Sequence, residues 1–355
     1  MADILDCHVH CRDDEWRHKE TIEHALRVAE DVGLAGIFDM PNTKPAVTTR
    51  KRVLERLELA RNANSNVFFG VYIGLTSDKE QIRESVETWR EFFPQPEDRT
   101  GVVGLKMFAG KSVGDLSVTE PEAQQEVYRQ LFNLSYNGVL VVHCEKESFM
   151  KDLWNPKNPI SHCEARPEQA ETESIEDQIG FAYNSRFRGH LHIAHVSTPR
   201  SVVLVRSAPL ALRASCGVTP NHLLLNNGVM LRKDGIAWKV NPPLRNPETQ
   251  RQLLAYARER KIDVLESDHA PHAYAEKFNG INGEYMSGIP GLASWQHYLL
   301  FLEVAGVPPE LIERMTFENV NQIFGLQIQK RSLEPRSINH MPEYAFDPCL
   351  PLKEK

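Results

Sequence analysis

Short apolar runs rich in valine, isoleucine and phenylalanine alternate along the chain with longer segments whose apolar residues recur at helical spacing. The runs fall at residues 4–10, 35–40, 67–73, 102–108, 138–143, 190–196, 212–218 and 262–268. Their length and near-continuous hydrophobicity suit strands covered on both faces. Amphipathic stretches separate them at 18–32, 49–63, 79–93, 120–136, 168–186, 199–207 and 247–260, and an eighth, 292–305, follows the last run. Such alternation predicts an α/β fold with a parallel sheet inside and helices outside, and eight units are what a (β/α)8 TIM barrel requires. Two connections are long, 219–245 and 269–291. On a barrel, long loops that follow strands build or cover the site. The apolar sequence 308–326 is expected to pack outside the barrel. Residues 1–330 read as one barrel unit and 331–355 as an irregular tail packed on it, since no repeat, low-complexity tract or linker marks a second domain.

Composition narrows the partners. With 355 residues, 41% hydrophobic and 25% charged, the chain reads as a soluble globular protein, and no apolar run approaches the roughly 20 residues that a membrane span needs. The start, Met-Ala-Asp-Ile-Leu-Asp, lacks the basic and apolar regions of a secretory signal, so a cytoplasmic location is expected. Its six cysteines are scattered and are expected to be free thiols in a reducing compartment. A net charge of −7 without a basic stripe argues against nucleic acid and anionic membranes as partners and for a small molecule. An anionic substrate would have to be met by a few local cations.

The ionisable residues supply the chemistry. His8, His10, Lys106, His143, His195 and Asp268 all stand at or near the C-terminal ends of predicted strands. In a closed barrel these ends converge on one face, so residues far apart in sequence surround one volume, as a metal site requires. His8 and His10 lie two apart on a strand and face one way, while Cys7, Val9 and Cys11 face the other. A lone His-x-His pair is as often a surface feature as a ligand pair; several strand-end ligands together are not. His190 and His192 are expected to be structural, with His192 facing outward, and His18, His24, His162, His222, His297 and His340 to be surface or hydrogen-bonded histidines. Lys106 is the odd member, because an ammonium beside metal ions would be repelled. Carboxylation would turn it into a bridging anion; the alternative is an ion pair with Asp268 or with a substrate carboxylate.

The motifs His8-Val9-His10-Cys11-Arg12, Met40-Pro41-Asn42-Thr43, Gly104-Leu105-Lys106, Val142-His143-Cys144-Glu145, His195-Val196-Ser197, Asn241-Pro242-Pro243-Leu244-Arg245 and Ser267-Asp268-His269-Ala270-Pro271-His272 run in order along most of the chain. Together they resemble the dihydroorotase family of metal-dependent amidohydrolases. The resemblance implies two zinc ions, one held by His8, His10 and Asp268, the other by His143 and His195, bridged by carboxylated Lys106. It further implies that Arg12, Asn42 and His272 grip a substrate carboxylate, and that Asn241 and the backbone around Pro290 and Gly291 touch the ring. Asp268 would carry a proton to the departing ring nitrogen, and the reaction would be the reversible closure of N-carbamoyl-L-aspartate to L-dihydroorotate. Many members carry a small β-domain around the barrel. Here the first metal motif arrives by residue 8, which resembles the compact branch, although Asn241–Arg245 resembles the longer one. Cys11 and Cys144 depart from the usual small or apolar residues and are expected to be buried, inert thiols. A homodimer and an association with a transcarbamoylase are both compatible with the resemblance. The alternatives are a hydantoinase (dihydropyrimidinase) or allantoinase, whose ring substrates carry no carboxylate, and a non-catalytic partner of a transcarbamoylase, which would be expected to lack ligands.

Overall fold

The computed structural model describes residues 3–111, 116–330 and 344–354. Eight parallel strands, β1 Leu5–Val9, β2 Gly36–Asp39, β3 Phe68–Gly74, β4 Thr100–Phe108, β5 Val139–His143, β6 His190–Ile193, β7 Arg213–Val218 and β8 Val264–Leu265, pair in sequence order. A parallel bridge between Val9 and His269 joins the last to the first, with the His10 amide donating to the His269 carbonyl at 2.8 Å. The molecule is thus the (β/α)8 barrel that the alternation predicted.

Local chemistry starts five of the outer helices where the pattern placed them. Thr21, Thr49, Asp78, Thr198 and Asn246 have extended backbones and accept, through their side chains, amide protons of the first helical turn. Each such cap stabilises its helix by about 1 kcal/mol.

Strand alternation sorts side chains into two shells. Val139 and Val141 of β5 face the barrel interior, while Leu140 and Val142 pack in the shell between strands and helices. The 308–326 expectation needs correction. Leu311, Ile312 and Met315 join the outer shell, but Phe317, Val320, Phe324 and Leu326 belong to the interior cluster. Phe324 sits edge-on to Phe38 and Tyr72. This segment closes the N-terminal end of the barrel, where the open ring of strands would otherwise expose apolar interior to water. The 219–245 connection folds into a helix, Pro220–Leu224, and two 3-10 turns around their own core of Met230, Trp238 and Val240. Of the tail, residues 331–343, with His340, lie outside the described residues, and Leu350–Lys353 form a short helix.

Two orientations differ from plain alternation. The register of β1 on β2 shifts between Asp6 and Val9, an irregularity that lets consecutive side chains share a face. Cys7 therefore points inward with His8, and only Val9 and Cys11 join the outer shell. His192 faces inward as well, fully buried against Phe324. It is His195 that leaves the alternation, through a left-handed backbone (φ 39°) just past β6.

Candidate metal centre and active site

At the C-terminal end of the barrel the strands deliver their ionisable residues to one cavity of about 40 Å³, lined by His8, His10, His143, His195 and Asp268 together with Arg12, Asn42 and Asn241. Arg12, His195 and Asp268 all have positive φ (52°, 39° and 47°). That conformation costs a non-glycine residue about 1–3 kcal/mol and persists where the surroundings over-determine it, typically at functional sites.

His8 Nε2 and His10 Nε2 lie 3.3 and 3.2 Å from Asp268 Oδ1. His143 Nδ1 faces His195 Nε2 at 3.2 Å. Ligands about 2.0–2.2 Å from a tetrahedral zinc stand about 3.3 Å from one another, so both groups have the spacing of a coordination sphere. Of the opposite ring nitrogens, that of His10 is hydrogen-bonded in the way that fixes a ligating tautomer, those of His8 and His143 only face a carboxylate, and His195 Nδ1 has no partner. His10 Nδ1 donates to Asn42 Oδ1 at 2.8 Å, His8 Nδ1 faces Glu266 at 3.4 Å, and His143 Nε2 faces Glu145 at 3.2 Å. Glu145 is itself held by Arg166 at 2.6 Å. Burial, reinforced by the Lys106 charge, lowers the pKa of all four imidazoles and keeps them neutral, the form that binds metal.

Lys106 is fully buried and its Nζ has no hydrogen-bond partner; the nearest feature is the Phe108 ring, 5.0 Å away. Burial lowers its pKa, opposed only in part by Glu266 and Asp268. Burial likewise raises that of Asp268, with Lys106 opposing. An amine shifted toward its neutral form, orphaned among four imidazoles and a carboxylate, is what carboxylation requires. The ion pair with Asp268 is absent at salt-bridge distance among the described residues.

Arg12 is 1% exposed. Its Nε donates to the Pro271 carbonyl at 3.4 Å and one Nη lies 3.3 Å from His272 Nε2, while Nη1 is buried without a partner. His272 stands behind Arg12, with its Nε2 also 3.1 Å from the Ser287 carbonyl. Asn241 Oδ1 is buried and unpartnered. On the loop side the lining comes from Ser287 and Gly288. Gly288 has φ 149°, and a Cβ there would lie 2.4 Å from the Ala270 carbonyl, so the loop approaches this closely only with glycine. A wider vestibule of about 960 Å³ shares Asn241 and Ser287 with the cavity and carries Lys44, Lys111 and Lys239.

The four histidines and Asp268 thus line one cavity, while Lys106 is buried close enough to shift all four imidazoles but is not among the lining residues. Of the other histidines, His162 and His222 are buried and meet the carbonyls of Val240 and Pro242, bracing the 219–245 segment. The six cysteines form no disulfide, and Cys11 and Cys144 lie buried in the outer shell, where burial raises their pKa. Sequence reasoning missed Glu266 and Glu145. Both were within reach of the rule applied to His8 and His10: Glu266 stands two residues before Asp268, and Glu145 two after His143.

No family model matches the chain. It is 30% identical over 339 residues to a dihydroorotase of Methanothermobacter thermautotrophicus, covering 94% of this chain and 72% of that protein. It is 30% identical over 341 residues to a dihydroorotase of Methanosarcina mazei, covering 91% and 70%. Among solved structures, an L-hydantoinase (dihydropyrimidinase) from Arthrobacter aurescens superposes with a TM-score of 0.80 at 22% identity, over 95% of this chain and 74% of that one. A dihydroorotase from Campylobacter jejuni does so with 0.68 at 16%, over 93% and 85%. The structural likenesses establish the fold.

Proposed function

This chain belongs to the dihydroorotase family, and on that premise we propose that it catalyses the reversible closure of N-carbamoyl-L-aspartate to L-dihydroorotate, in the cytoplasm. The observation that carries the substrate assignment is the partnerless Nη1 of buried Arg12, a residue that lines the cavity together with His8, His10 and Asp268. A buried cation without a counterion is costly, and a substrate carboxylate would satisfy it.

In this reading His8, His10 and Asp268 would hold one zinc ion and His143 and His195 a second, with carboxylated Lys106 supplying a further anionic ligand. Bound there, the ions would supply a nucleophilic hydroxide near neutral pH and polarise the ring carbonyl. Arg12, supported by His272, grips the carboxylate with a planar fork. Asn42 divides its amide between orienting His10 and lining the substrate pocket, and Asn241 offers a polar atom to the ring. Asp268 takes the proton released on attack and delivers it to the departing ring nitrogen, and ring closure runs the same transfers backwards. Residues 1–330 then act as one catalytic barrel with 331–355 as its tail.

Ring opening of L-dihydroorotate by zinc-loaded protein, run beside dihydrouracil, hydantoin and allantoin, tests the assignment. Turnover confined to dihydroorotate is expected. Activity on a neutral ring without activity on dihydroorotate would overturn the substrate and leave the metal ligands standing.

A further inference from the structure

One layer deeper in the barrel lies a second group of ligand-type side chains. Cys7 from β1, His192 from β6 and Glu266, just past β8, are all buried, and one ligand atom of each lies within 4.8 Å of the other two. Cys7 Sγ is 3.5 Å and His192 Nε2 3.7 Å from the same oxygen, Glu266 Oε2. Around a tetrahedral zinc, bonds of about 2.3 Å to sulfur and 2.0–2.2 Å to nitrogen or oxygen place ligand atoms roughly 3.3–3.6 Å apart. The Cys7–Glu266 separation matches, and the His192–Glu266 separation is slightly wider.

Further observations bear on what this group could hold, the first of them an orphaned ligand atom. His192 Nδ1 is engaged with Ser215 Oγ at 2.8 Å, whereas Nε2, buried and aimed at Cys7 and Glu266, has no hydrogen-bond partner. Glu266 is fully buried, and its ion-pair partners among the described residues are only His8 and His192, with no lysine or arginine. With no full cation at ion-pair distance, its carboxylate is held by the His195 amide and the Cys7 thiol, which both donate to it. Finally, the barrel gives up a side chain to seat it, since a Cβ at Gly217 would lie 2.2 Å from Glu266 Oε1.

We propose that Cys7, His192 and Glu266 form a third cation site, with the mixed sulfur, nitrogen and oxygen ligands that suit zinc, in the barrel core beneath the metal centre. Binding releases the Cys7 proton, so a thiolate and a carboxylate neutralise the dication. The ion also braces the centre above, because Glu266 meets His8 Nδ1 and accepts the His195 amide at 2.5 Å.

The full chain, produced in cobalt-supplemented, zinc-depleted medium, tests this by metal stoichiometry and absorption spectroscopy. Three cobalt ions per chain and a near-ultraviolet thiolate-to-cobalt charge-transfer band are expected. None of the ligands assigned to the upper centre is a thiol, and Cys7 is the one cysteine among the described residues in a three-ligand group. Cys7→Ser should abolish the band and lose one ion while keeping two. Failure of the two-metal reading is distinguishable, because it would remove ions without removing the band. A wild-type protein that binds cobalt with no thiolate band, and whose metal content Cys7→Ser leaves unchanged, would overturn the proposal, and this spectrum needs no variant to fold.

Discussion

Replacing Arg12 by methionine isolates the substrate grip. Methionine keeps the aliphatic stem, while the contact of the guanidinium with Trp16, 5.8 Å away, is lost with the charge. What disappears is a buried cation with one Nη free to meet a carboxylate. Removing one partner of a desolvated charge pair costs roughly 2–5 kcal/mol. At about 1.4 kcal/mol per tenfold, a middle value of about 3 kcal/mol is a loss of roughly 150-fold in kcat/KM. The grip exists before and during reaction, so most of the loss should appear as a raised KM for L-dihydroorotate. Bound zinc should be unchanged, because no Arg12 atom orients a proposed metal ligand; its named contacts are His272 and the Pro271 carbonyl. Arg12→Lys, which keeps the charge and loses the planar fork, should fall between. Steady-state kinetics with metal analysis on the same samples reads all of this. An unchanged KM, or an activity loss that simply tracks lost zinc, would refute the assignment.

Asp268→Asn should fold and keep the cavity but lose about 10²–10⁴-fold in turnover in both directions, the usual span of general acid–base catalysis; near-normal rates would remove Asp268 from proton transfer. Lys106→Ala should weaken metal binding by more than the roughly 10–100-fold caused by losing an outer hydrogen-bond partner, and native mass spectrometry of the wild type should show the mass of one added CO2, absent from the variant. Glu20 supplies an acid-stability test away from the centre. Burial alone would raise its carboxyl, but hydrogen bonds from His24 and His269 outweigh this and hold it down to about 2 from 4.5. A depressed folded pKa contributes stability that is full above the unfolded value and is lost as pH falls from about 4.5 toward 2, here on the order of 3 kcal/mol. Glu20→Gln should therefore lower the urea midpoint at neutral pH and flatten its decline below pH 4.5, whereas parallel pH curves for variant and wild type would refute the linkage.

The barrel was legible because each strand is buried on both faces and each helix on one, and these demands write different periods into the sequence. The ligands were legible for a related reason: parallel strands in a closed barrel must bring all their C-terminal ends to one face, so position at a strand end was enough. The segment that plugs the barrel floor was not legible. Phe317, Val320 and Phe324 carry the same apolar spacing whether the helix packs outside the barrel or across its open end, and only the closed ring decides.

The two misassigned faces inside the site share one cause. Alternation carried outward from His8 assigned Cys7 to the wrong face because nothing in the composition of β1 announces its register shift. Counting back from His195 misplaced His192 because His195 itself breaks the period, with φ 39°. Positive φ at Arg12, His195 and Asp268 re-aims side chains into the mouth, at a local cost that packing elsewhere must offset. Where the backbone stays regular, as from Val264 through Glu266, the period-2 rule holds and places Glu266 inward beside Cys7 and His192. Glu266 was therefore within reach of the period-2 rule, whereas the faces of Cys7 and His192 were not, because a register shift intervenes in one case and a left-handed residue in the other.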